Sequence, residues 1–223
     1  MDYQVLIIAV DGPAASGKGT LSTGLAGHFN LPHLDTGLLY RAVGRDWLMF
    51  GNQADSTNSS DSIAHAILLA RSPDASHLDE IALGTPEIGQ AASKIATIPQ
   101  VRQALLQLQH DFSRRPEGAL LDGRDIGTVI CPAADVKLFI TADATVRADR
   151  RAAQLEARGI KVNRTELLAD ILARDARDSN RADAPLKMAD DAHLLDTSQL
   201  GIEAALRAAI AIVDGAIENK AGR

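Results

Sequence analysis

The chain has 223 residues, 46% of them hydrophobic and only 3% aromatic, so its core must be built from Leu, Ile, Val and Ala. That length suits one domain with insertions, and a net charge of −6 argues against a nucleic-acid coat or a general membrane-surface protein. The single cysteine, Cys131, excludes an intrachain disulfide framework and a multi-cysteine metal site.

The first element is an apolar, β-branched run, Val5–Val10 (VLIIAV), which reads as a strand. It is too short for a secretory signal, and the acidic Asp2 lacks the charged lead-in such a signal carries; no stretch is long enough to span a bilayer. A cytoplasmic protein is expected. Residues 11–20, DGPAASGKGT, follow directly. Strand before, helix after and a correctly spaced lysine distinguish this segment from a chance glycine-rich turn. It is a phosphate-binding loop: Gly12, Pro13, Ala14, Ala15, Ser16, Gly17, Lys18, Gly19 and Thr20 turn the chain so that successive N–H groups face an anion at the positive end of a helix. Lys18 can reach the β- and γ-phosphates of a nucleotide, and the hydroxyl comes at Thr20, one position later than in G-x-x-x-x-G-K-[ST].

A helix is expected from about Lys18 to His28, a brief strand at Leu31–Asp35 and a helix over Thr36–Phe50. Thr36 can cap that helix or, with Arg41, face a phosphate near its start. Gly51–Asp61 reads as a polar connecting loop and Ser72–Gly89 as irregular. Further strands are expected at Ala119–Asp122, Val136–Thr141 and Ala192–Asp196, with an alanine-rich amphipathic helix from about Ile202 to Glu218. Strand–helix alternation implies a parallel sheet covered on both faces, and Asp11, Asp35 and Asp122 fall at strand ends, where ligands of open α/β sheets sit. Cys131, in VICPAAD, reads as a small buried apolar residue.

Arginines concentrate between Arg147 and Arg181. Arg174, Arg177 and Arg181 share a stripe with Asp178 at helical spacing. Such a stripe is either a solvated face screened by Asp175 and Asp178 or an anion-binding surface. Beside a phosphate loop and a second cluster (Arg147, Arg150, Arg151, Arg158), phosphate chemistry is the better reading. A helix pair around Arg150–Arg164, turning at Gly159, can act as a lid that excludes water. GRDIGT (Gly123–Thr128) holds an Arg–Asp pair at the sheet's carboxyl edge, either an ordinary surface ion pair or a carboxylate that accepts from an exocyclic amine.

Taken in order, IAVDGPAASGKGT, LDTGLLYRA, AASKIATIPQVRQALLQLQ, LLDGRDIGTVICPAADVKLFITAD and RDARDSNRADAPL resemble the bacterial cytidylate kinases, a family of nucleoside monophosphate kinases. The resemblance covers nearly the whole chain. It implies an α/β, three-layer P-loop NTPase-type fold with a five-stranded parallel sheet, a helical lid and a small, shortened monophosphate-binding insert. One kinase unit would then comprise a core (about 1–40, 91–146 and 182–223), a monophosphate-binding part (about 41–90) and a lid (about 147–181).

By motif matching, Thr36, Arg41, Arg124 and Arg181 would hold the CMP phosphate. Ser93, Arg102 and Asp125 would read the cytosine, and Asp178 with Arg174 would contact the sugar. ATP would be the donor and CMP or dCMP the acceptor. Lys18, Arg124, Arg150, Arg151, Arg174 and Arg181 would offset charge on the transferred group. Mg²⁺ would bridge the ATP phosphates, with Thr20, directly or through water, and Asp35 or Asp122 near it. Nothing in the scheme calls for a protein, nucleic-acid or membrane partner, and a monomer is expected. Gly89 stands where the resemblance leads one to expect an arginine, and Ser72–Gly89 is too short for the usual small β-sheet. A kinase for another small acceptor and a nucleotide-dependent switch are the rivals; the N-K-x-D guanine reader of GTPases is absent from the sequence.

Overall fold

A computed structural model describes residues 5–50, 59–74 and 81–221. In chain order the elements are β1 (Ile7–Asp11), α1 (Lys18–Phe29), β2 (His33–Asp35), α2 (Thr36–Met49), α3 (Ser60–Arg71), α4 (Pro86–Ile95), α5 (Pro99–Ser113), β3 (Ala119–Gly123), a π-helical segment (Ile126–Ile130), β4 (Val136–Thr141), α6 (Ala144–Glu156), α7 (Arg164–Ser179), β5 (His193–Asp196) and α8 (Ile202–Ala221). They fall into two compact units, with boundaries between Leu34 and Asp35 and between Phe112 and Ser113.

The unit formed by the two ends of the chain carries a five-stranded sheet in the order β2-β3-β1-β4-β5. β1 lies between β3 and β4, parallel to both, with Val10 opposite Asp122 on one side and Leu138 on the other. Strands buried on both faces must be apolar throughout, which is why IIAV and ALL show no polar alternation. Ile8, Val10, Leu120, Leu138 and Ile140 form the core with Leu21 and Leu25 of α1 and Ala209 and Val213 of α8. All five expected strands are present, as are the helices at Lys18, Thr36 and Ile202. The α6 and α7 helices are joined through Gly159, whose φ of +76° suits a residue without a Cβ.

The second unit, residues 35–112, carries helices joined by turns from Thr36 onward among its described residues. Its α2 and α4 pack closely because Gly44 lies against the Ala92 backbone, where a Cβ would stand 3.0 Å from the Ala92 nitrogen. Trp47 is fully buried and donates its indole N–H to the Ser62 carbonyl at 3.1 Å. The loop expected at 51–61 lies largely outside the described residues, and α3 has already begun by Ser60. Of the irregular stretch 72–89, residues 75–80 lie outside the described residues, and Pro86–Gly89 open α4 behind a Thr85 cap. Thr36 does not cap α2: the Asp35 carboxylate accepts from the Gly37 N–H at 2.8 Å, so Thr36 is the buried first residue of the helix.

Candidate functional site

The phosphate loop joins β1 to α1. Gly12 runs so close to β4 that a Cβ there would stand 2.0 Å from the Ile140 carbonyl oxygen. Gly17 (φ +89°) precedes α1 and offers no side chain to its first turn, leaving those N–H groups for an anion. Ala15 also has a positive φ, +59°, a conformation that strains a residue with a Cβ. Thr20, on the first turn of α1, is exposed.

Lys18 projects to the end of β3. Its ammonium lies 2.9 Å from Oδ1 of the fully buried Asp122, whose Oδ2 meets His33 Nε2 at 2.8 Å. Burial alone would raise the Asp122 carboxyl, but Lys18 and His33 outweigh it and hold the group below the usual carboxylate range. The lysine is thus tethered beside the loop, within a charge pair that an incoming phosphate can reorganise.

Of the five expected acceptor residues in this same unit, Arg124, Arg174, Asp178 and Arg181 gather together. Asp178, 4% exposed, takes Arg124 Nε at 2.8 Å, with Arg174 Nε 4.0 Å away. Burial pushes the Asp178 carboxyl up, but the charges of Arg124, Arg174 and Arg181 prevail and lower it. Arg181 also donates to the Ala184 carbonyl at 2.7 Å. Arg174 and Asp178 of α7, Arg181 just beyond its end and Arg124 just beyond β3 therefore form a cationic cluster around one carboxylate, so the expected single helical stripe is completed from outside the helix.

The second arginine cluster divides by role. Arg147 is buried, donates to the Ala142 carbonyl and the Ala14 carbonyl of the loop, and grips Asp175 of α7 at 3.1 and 2.6 Å. Arg150 donates to the Thr197 hydroxyl and carbonyl (3.0 and 2.6 Å), the Leu200 carbonyl (3.3 Å) and, at 3.4 Å, the Ser16 carbonyl. Arg151 donates to Gln154 within α6. Arg147 and Arg150 thus fix α6 to the loop.

Asp125 is buried and immediately precedes the π-helical segment. In that segment Ile130 and Cys131 donate five residues back, to the Asp125 and Ile126 carbonyls. Cys131 is buried, and burial pushes its thiol up, as suits an inert side chain.

In the second unit, Thr36, Ser93 and Arg102 are all buried. Arg102 donates to the Tyr40 hydroxyl at 3.4 Å, and Arg41 donates to the Leu83 carbonyl at 2.7 Å. A Cβ at Gly89 would meet the Arg41 guanidinium at 3.2 Å, so Arg41 covers the position where an arginine was expected.

The cytidylate kinase family model matches residues 8–214. The chain belongs to the cytidylate kinase family. Cytidylate kinases of Azorhizobium caulinodans and Methylocella silvestris are 57% and 55% identical to it, each over 95% of this chain and over 99% and 95% of their own lengths. That of Xanthobacter autotrophicus is 55% identical over 98% of this chain and its whole length. Among solved structures, an uncharacterized protein from Eubacterium ventriosum aligns with TM-score 0.55 at 14% identity, covering 95% of this chain and 99% of its own. A gluconokinase from Sinorhizobium meliloti aligns with TM-score 0.50 at 15% identity, covering 96% and 94%. These two likenesses extend to the fold alone.

Of the residues described above, sequence reading gave no role to His33 and only a strand-end position to Asp11; it placed Arg147 in a cationic cluster and Asp175 as a screening charge, without pairing the two. The Asp11 carboxylate accepts the N–H groups of Ile126 and Gly127. The one signal that could have found it is an acidic residue ending an otherwise apolar buried strand. For the Arg147–Asp175 pair, a separation of 28 residues leaves no local signature.

Proposed function

We propose that this chain transfers the γ-phosphoryl group of ATP to CMP or dCMP, giving ADP and CDP or dCDP. The observation that carries the reading is the cationic cluster around Asp178 in the same unit as the phosphate loop, within a chain of this family. An acceptor-phosphate oxygen attacks the γ-phosphorus in line as the bond to the β,γ-bridging oxygen breaks, and ADP leaves. No protein nucleophile is needed, because positioning and electrostatics supply the rate.

Lys18 and the loop N–H groups hold the donor phosphates. Arg124 and Arg181, with Thr36 and Arg41, take the acceptor phosphate, and Arg174 with Asp178 takes the sugar. Lys18 and the arginines of a lid formed by α6 and α7, foremost Arg150, Arg151 or Arg174, offset charge on the transferred group. Asp125 accepts from the cytosine amine while Arg102 and Ser93 donate to ring acceptors. Uracil presents an oxygen where cytosine has the amine, and the lost pairing is worth about 1–3 kcal/mol, a preference of roughly tenfold to a hundredfold. The hard oxygen donors here suit Mg²⁺: Thr20 is exposed at the start of α1, Asp35 ends β2 and Asp122 is the penultimate residue of β3. Mg²⁺ would be held by Thr20, directly or through water, and would neutralise charge between the donor phosphates.

The test is ADP formation from Mg·ATP with CMP, dCMP, UMP, AMP and shikimate offered separately. Turnover with CMP and dCMP, weaker turnover with UMP and none with AMP or shikimate is the expected pattern. Preference for another acceptor would overturn the roles of Ser93, Arg102 and Asp125.

A further inference from the structure

We propose that Asp11 is a positioning residue for acceptor recognition: from the end of β1 its carboxylate fixes the peptides that follow Asp125 and so sets where Asp125 meets the base. The inference rests on the assignment of Asp125 to the cytosine amine.

Asp11 is 4% exposed. Oδ1 accepts the Ile126 N–H and Oδ2 the Gly127 N–H, both at 2.8 Å. One carboxylate thus holds two consecutive peptides immediately beyond Asp125, determining their rotation as well as their place. The segment so held is π-helical, a local geometry that is rare and needs support from outside itself. Glycine at residue 127 eases the approach, since a Cβ there would stand a tight 3.3 Å from Asp11 Oδ2 and 3.1 Å from the Lys137 side chain. A neutral amide cannot reproduce the arrangement: it has one accepting oxygen, and its NH₂ would oppose the second N–H.

The surroundings raise this carboxylate well above the usual carboxylate range. Burial is the largest influence and pushes it up to about 6, against the two N–H bonds and Lys18, with Asp125 adding repulsion. The Cys131 thiol is the other titratable group nearby, and the Lys137 ammonium is turned away to the Pro132 carbonyl and Asp191. A buried carboxylate kept in a site that disfavours its charge is poorly explained by packing. It is well explained by a need for two strong acceptors at one point.

The experiment compares kcat/KM for CMP with kcat/KM for UMP in the wild type, Asp11→Asn, Asp11→Glu and Asp125→Ala, from about pH 7.5 to about pH 5.5. The ratio cancels titration of the acceptor phosphates, which both nucleotides share. At the upper pH, Asp11→Asn and Asp11→Glu each lower the ratio by about tenfold, one by losing an acceptor and the other by displacing it. The wild-type ratio falls as pH drops through Asp11's range, while that of Asp11→Asn stays flat. Equal losses for CMP and UMP would overturn the proposal, because they would place the effect of Asp11 in the phosphate loop. An Asp125→Ala ratio that matches the wild type would overturn the cytosine reading and this inference with it. A ratio lost in Asp125→Ala but kept in both Asp11 variants would overturn the inference alone. Should neither Asp11 variant fold, the wild-type pH series decides, and a flat ratio counts against the proposal.

Discussion

Replacing Lys18 by alanine removes a phosphate ligand and also strips the buried Asp122 of its nearest cation, so the variant should lose stability as well as turnover. Asp122 is fully buried and Lys18 lies 2.9 Å from it. Deleting one partner of a buried ion pair costs about 3–5 kcal/mol, and the lower end applies because His33 stays at 2.8 Å. For a domain of this size each kcal/mol moves the melting temperature by about 2–4 °C, giving a fall of roughly 6–12 °C. The sign with pH follows from Asp122's lowered pKa. The pair's contribution is fully present above the unfolded carboxyl value of 3.8 and is lost as pH falls through the lower folded value, so wild type and variant converge in acid. Calorimetric unfolding of Lys18→Ala, Asp122→Asn and the double variant measures this directly. The double variant should recover most of the stability and none of the phosphoryl transfer. A Lys18→Ala melting temperature within about 2 °C of the wild type at pH 7 would refute the argument.

Asp175→Ala leaves the Arg147 guanidinium, whose side chain is 6% exposed, with only carbonyl partners, and should lower the unfolding free energy by about 3 kcal/mol in denaturant titration. Ala15→Gly relieves an alanine held at φ +59° and should raise that free energy by up to about 1 kcal/mol, with the loop intact. Gly12→Ala should do the opposite, since its Cβ would stand 2.0 Å from a backbone carbonyl in β4; ATP protection against thermal unfolding should be lost.

The sheet was legible because its strands are short, apolar and β-branched, and the phosphate loop because its chemistry is contained in ten consecutive residues. Arg174 and Asp178 were legible as helical neighbours for the same local reason, whereas the helix ends at Ser179, before Arg181 could complete the expected stripe with Arg177. What could not be read are the contacts made by distant segments. Lys18 resting on Asp122 and Asp11 reaching Ile126 across 115 residues depend on which strands become neighbours, and Arg147 clasping Asp175 depends on how α6 packs on α7. Capping of α2 by Asp35 rather than Thr36 turns on one backbone angle, which residue type alone does not settle. The π-helical segment escaped because GRDIGT reads equally as a turn until the Asp11 carboxylate organises its N–H groups.

The most direct measurement follows γ-labelled ATP through one turnover with CMP. The account predicts that the label appears in the β-phosphate of CDP, with little inorganic phosphate formed when CMP is left out. Label released as inorganic phosphate at the same rate with or without CMP would contradict it, because the γ-phosphoryl group would then be passing to water.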